Sequence, residues 1–163
     1  MPMTARDGLV AIAGLLAPDQ PEVARRVAAA HDDPAGYLKQ HPGTAPVRLL
    51  PWLALVEALH EHGLVAEVDR REKPDEVVRQ LRALRSSPPD AWEWAADTEF
   101  HARTDEFLRI TAEHLRPVGV GLSALDIDAD YYPLVLAPAA RTTELNNLAK
   151  LAGHRVYQFV AES

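Results

Sequence analysis

The stretch VGVGLSALDIDADYYPLVLA, residues 118–137, decides the reading of the fold. Val118 to Ile127 and Tyr132 to Ala137 are short, mostly aliphatic runs, and only Asp128 to Tyr131 separates them. Two such runs joined by a short polar connection predict a β-hairpin. The first run is apolar on both sides, with Val118, Val120 and Leu122 alternating against Leu125 and Ile127. A sheet built on it therefore needs cover on both faces.

Outward from the hairpin the chain alternates. Downstream, Pro138 ends the second run, Thr142 or Thr143 can cap a helix carrying Leu145, Leu148 and Leu151, and Gly153 closes it before the strand-like Arg155 to Val160. Upstream, Leu64 to Asp69 reads as a strand. Pro74 opens a helix with Val77, Val78, Leu81 and Leu84 in one stripe, and a further helix carries Phe100, Phe107, Leu108 and Leu115. From Gly63 onward the order is strand, helical region, strand, strand, helix, strand. That order predicts an α+β fold with a four-stranded antiparallel ferredoxin-like (split β-α-β) sheet and an enlarged first crossover. Right-handed crossovers then place the strands in the order 4-1-3-2. Residues 1–62 read as helix only. Thr4 caps a helix with Leu9, Ile12, Leu15 and Leu16, Pro21 and Pro34 open two more, and Pro46 to Glu61 is apolar on most sides. These helices are the expected cover for the second face, so residues 1–163 form a single domain with a helical part, 1–62, and an α/β part, 63–163.

The 163 residues are 47% hydrophobic and 25% charged, which excludes a disordered chain. There is no cysteine, so disulfides, a thiolate nucleophile and cysteine-ligated metal are excluded. No run approaches the ~20 apolar residues of a membrane span, and the acidic, glycine-containing start does not read as a secretory signal. The expected setting is cytoplasmic. The net charge of −7 opposes a phosphate-tracking surface, so nucleic acid is not an expected partner and a basic protein is.

The segments Trp52 to Leu59, Gly63 to Asp69 and Leu125 to Tyr132, with an acidic helix start between them, resemble a family of bacterial proteins catalogued as a domain of unknown function. The resemblance covers about residues 52–153, with Arg70-Arg71 standing where the family usually has an aromatic. It implies a bacterial, soluble α+β protein, and carries no activity, cofactor or site residue with it.

Asp126, Asp128 and Asp130 alternate along the hairpin, and an extended backbone would point them to one side. In the expected strand order, Asp69 ends the first strand on the same rim, beside His154 and Arg155. Tyr131 at the hairpin tip and the pair Trp92 and Trp94, of which one can face solvent, complete the candidate partner-binding residues. The D-x-D-x-D start is not a calcium loop: its sixth position is Tyr131 rather than glycine and its twelfth is Ala137 rather than glutamate. His60 and His62, two apart on a helix, diverge instead of sharing a metal. Arg79, Arg82 and Arg85 repeat every three residues opposite the Val78, Leu81 and Leu84 stripe and read as a solvated face, with acidic protein or phosphate as the sharper alternative. No glycine-rich phosphate loop or nucleophile elbow is present, so no catalytic residue, metal or cofactor is expected. The leading expectation is a non-catalytic, immunity-type inhibitor that blocks a partner toxin through an acidic surface. The alternatives are a ligand-sensing domain and a metal-dependent phosphoester enzyme using Asp69, Asp126 and Asp128.

Overall fold

A computed structural model describes residues 3–43, 45–96 and 100–159. Among them are seven α-helices and one four-stranded antiparallel sheet, an α+β fold. The helices are α1 (Ala5–Leu16), α2 (Pro21–Asp32), α3 (Pro34–Gln40), α4 (Leu50–Glu61), α5 (Pro74–Arg82), α6 (Thr104–Leu115) and α7 (Thr142–Leu151). The strands are β1 (Ala66–Asp69), β2 (Val120–Leu125), β3 (Tyr131–Pro138) and β4 (Val156–Gln158). Thr4 and Asp7 form a reciprocal capping box at α1, with Asp7 N–H donating to Thr4 Oγ1 at 3.1 Å and Thr4 N–H to Asp7 Oδ2 at 2.9 Å. Pro21, Pro34, Pro51 and Pro74 each sit in a first helical turn, where their missing N–H costs nothing. Pro51 therefore lies in the first turn of α4, which follows a 3-10 turn over Val47–Leu49, instead of kinking one long helix.

The sheet order is β1-β3-β2-β4. The expected order 4-1-3-2 put β4 beside β1; instead β4 pairs with β2, Leu125 lying opposite Val156. The reason lies in β1. Its Ala66 and Val68 are buried but Glu67 and Asp69 are exposed, a one-sided pattern that suits an edge. β2 buries Leu122 through Leu125 without a break, as a central strand must.

Handedness then settles where the helices go. The crossovers from β1 to β2 and from β3 to β4 move the same way across the sheet, but β1 and β3 run in opposite directions. Two crossovers of one hand must then lie on opposite faces. Accordingly α5 and α6 pack with Trp92 against Ala66, Val68, Leu122, Ala124, Leu134 and Leu136. On the other face α7 joins the N-terminal helices over Leu125, Val135 and Val156, with Leu145 and Leu148 beside Leu9, Ile12, Trp52 and Leu59. A ferredoxin-like sheet would hold both crossovers on one face.

Candidate functional site

β1 and β2 run one way and β3 and β4 the other, so the ends of the first pair and the starts of the second share one rim. Asp69 lies opposite Tyr131, and Leu125 opposite Val156. With β3 and β2 between them, Asp69 and the start of β4 are three strand spacings apart, about 14 Å. Asp69 therefore does not meet His154, and the rim divides into two regions of different chemistry.

The first region lies where β2 ends and β4 begins. A left-handed Gly153 (φ 81°) closes α7, with His154 N–H donating to Ala149 O at 2.8 Å, and this turn delivers the His154 ring. The imidazole stacks on the buried Trp52 indole, centroids 4.6 Å apart and planes within 8°. Trp52 Nε1–H donates to the Asp126 carbonyl at 2.9 Å. Asp126 is engaged at every polar group. Its N–H donates to Arg155 O at 2.9 Å, Oδ1 accepts Asp128 N–H at 3.0 Å, and Oδ2 accepts the Tyr157 hydroxyl at 3.2 Å. Asp128 has φ 57°, so the backbone turns there and the alternation that would align Asp126, Asp128 and Asp130 is broken. Ile127 instead turns inward, 8% exposed. Arg48, Asp126, Asp128, His154 and Arg155 border a cavity of about 370 Å³ with charges of both signs. Burial, and after it the positive charge of Arg48, holds the His154 pKa below the ordinary histidine value.

The second region is acidic. Register places Glu67, Asp69 and Tyr131 on one face of the β1–β3 pair. Glu57 and Glu61, one helical turn apart on α4, add two more exposed carboxylates. Arg26, a nearly buried guanidinium, ties this pair down: it bonds Glu57 at 3.2 Å and pairs with Glu61, while the Tyr37 hydroxyl donates to Glu57 at 3.2 Å. Burial, and after it the charges of Glu67 and Glu57, raises the Tyr131 pKa. Asp130, exposed, precedes Tyr131 at the hairpin tip.

The remaining candidates lie elsewhere. Trp92 is 2% exposed and its Nε1–H donates to Ser87 Oγ at 2.7 Å, so it is a core residue and not a surface one. Trp94 is half-buried, stacked on His114 at 4.2 Å and packed against Phe107. Asp69 Oδ1 accepts Arg71 N–H at 2.8 Å, an ordinary turn contact. Asp69, Asp126 and Asp128 are thus not brought to one point, and among the described residues no three His, Asp or Glu side chains gather as a metal-ligand set. Arg79, Arg82 and Arg85 are exposed, and Arg79 holds the Glu76 carboxyl down to about 2, helped by a hydrogen bond from Gln80. Sequence reasoning missed Arg26, Arg48 and Trp52, whose roles depend on partners far along the chain. The Glu57/Glu61 spacing was readable.

The arrangement defines a class: an α+β protein with an acidic face on one side of its strand rim and a tryptophan–histidine clamp on the other. The family model described as Domain of unknown function (DUF6630) matches residues 9–159, and the chain belongs to that family. No curated protein and no solved structure matches it. No described helix is long and apolar enough to cross a membrane.

Proposed function

We propose that this protein is a non-catalytic binding module that docks and blocks a basic partner protein, in the manner of an immunity-type inhibitor of a toxin, in a cytoplasmic setting. One observation carries the reading: Glu57 and Glu61 of α4 border one cavity with Glu67 of β1, and Glu67, Asp69 and Tyr131 of the hairpin lie on one face of the β1–β3 pair. Carboxylates around a half-buried tyrosine offer charge complementarity at the rim and an aromatic anchor at the centre. Arg26 fixes Glu57 and Glu61 before any partner arrives, which lowers the ordering cost of association. The partner's own function would be blocked by occlusion, since a face of this kind covers a surface and performs no bond chemistry.

The test is co-expression with the basic proteins encoded beside the gene, followed by purification of the complex. A stoichiometric complex is expected, with an association rate that falls as salt rises. Reversing two charges, Glu67→Lys with Asp69→Lys, should slow association by about tenfold or more at low salt. Absence of any complex with a basic neighbour, or a complex indifferent to both substitutions and salt, refutes the reading.

A further inference from the structure

The far end of the sheet, away from the acidic face, carries a second site. β1 begins at Ala66, opposite Leu134, while β3 continues to Pro138, so the outer side of β3 has no described strand beside it over its last residues. Next to this stretch is a cavity of about 440 Å³, between the C-terminal end of α1 and the turn that follows α5. Leu15, Leu16, Leu64, Val120 and Leu136 give it apolar walls. That volume lies within the range of small-molecule sites.

Asp19, Gln20, Arg85, Ser86 and Arg141 interrupt the apolar lining, and of these the Ser86 hydroxyl and the Arg85 guanidinium matter most. Ser86 has a hydroxyl shielded from solvent with no hydrogen-bond partner there. A buried hydroxyl left unmatched is unfavourable, so a ligand oxygen would relieve it. Arg85 lays its stem over Gly63, and its guanidinium makes no ion pair among the described residues. The other cation in the lining, Arg141, is already held by Glu144 through bonds of 2.8 and 2.9 Å. Asp19, the acid of the lining, is solvent-exposed and forms no ion pair with either arginine. Among the described residues, then, a guanidinium without an ion pair and a hydroxyl without a hydrogen-bond partner belong to the lining of one leucine-walled hollow. That set suits a single negative charge on an apolar body.

We propose that this cavity binds an amphipathic monocarboxylate, a medium-chain fatty acid or an arylalkanoic acid, with its carboxylate on Arg85 and Ser86 and its tail against Leu16, Val120 and Leu136. The guanidinium fork matches a carboxylate, and the apolar walls exclude small hydrophilic acids by offering them nothing in place of water. A dianion would leave its second charge without a cation.

Calorimetric titration of the full chain with octanoate, 4-phenylbutyrate, 1-octanol and octylammonium tests this. At least one of the two acids should bind saturably at one site per chain, the alcohol more weakly and the ammonium not at all. Arg85→Gln should weaken acid binding on the order of tenfold to a hundredfold while leaving the alcohol unchanged. Ser86→Ala should weaken the acid by several-fold. Arg85 is exposed, so an unchanged thermal melt is expected to accompany the lost affinity. The inference is overturned if neither acid saturates, if acid and alcohol bind alike, or if Arg85→Gln leaves acid affinity intact. The site is independent of the acidic face: Glu67→Lys with Asp69→Lys should bind the acid like the parent protein.

Discussion

Replacing Trp52 by phenylalanine should destabilise the protein by about 2–3 kcal/mol, mostly through a carbonyl 74 residues away. The indole is 0% exposed and does two things. It stacks on His154, and its N–H satisfies the Asp126 carbonyl at the point where β2 gives way to the hairpin. Phenylalanine keeps a ring for the stack but loses the donor. An acceptor left unsatisfied in a part-buried position costs about 1–2 kcal/mol. The smaller ring leaves a void worth about another 1 kcal/mol, well under the ~3–5 kcal/mol of a full truncation to alanine. For a chain of this size each kcal/mol lowers the melting temperature by about 2–4 °C, so the expected drop is about 4–12 °C. Urea unfolding followed by far-UV circular dichroism is the suitable assay, because the substitution removes a fluorophore. Amide exchange should speed most at Asp126, whose N–H donates to Arg155 O, and at Asp128, whose N–H donates to Asp126 Oδ1, and by no more than the global loss of stability in α6 on the other face. A loss below about 0.5 kcal/mol, the level of ordinary surface substitutions, would refute the argument that Trp52 holds the hairpin.

Two further predictions concern the same rim and the helix ends. His154 is held below its ordinary pKa of about 6.5 by burial and by Arg48, so the folded protein takes up this proton at lower pH than the unfolded chain. The stability it contributes is complete above about pH 6.5 and declines as pH falls from there through the folded value. His154→Gln should flatten stability against pH between neutral and mildly acidic solution, and a His154 NMR titration midpoint at or above the ordinary value would contradict this. Gly63 sits at φ 68°, so Gly63→Ala should cost about 1–2 kcal/mol. Gly14, exposed within α1 with open space where a methyl group would point, should give the opposite sign, Gly14→Ala stabilising by about 0.5–1 kcal/mol. Denaturant midpoints that move in the same direction for both would remove the backbone explanation.

Periodicity, prolines and glycines are local signals, and they determined what is local here. The hairpin between β2 and β3, the helices opening at Pro21, Pro34 and Pro74, and the α+β class all follow from residues within a few positions of one another. The need for cover on both faces of the sheet was equally legible, because Leu122 and Leu125 fall on opposite sides of one strand. Strand order was not, even though Glu67 and Asp69 already marked β1 as a one-sided edge. Pairing is a competition among whole-sheet arrangements, and the exposed carboxylates weigh in it only once a neighbour on the other side is considered. That order separated Asp69 from His154, grouped it with Glu57, Glu61 and Glu67, and sent α7 to the face opposite α5 and α6. The Trp52–Asp126 bond and the Arg26–Glu57 contact likewise join residues 74 and 31 apart in the chain. No pattern within a helix or strand encodes such distances, because they arise only when packed elements bring their surfaces together.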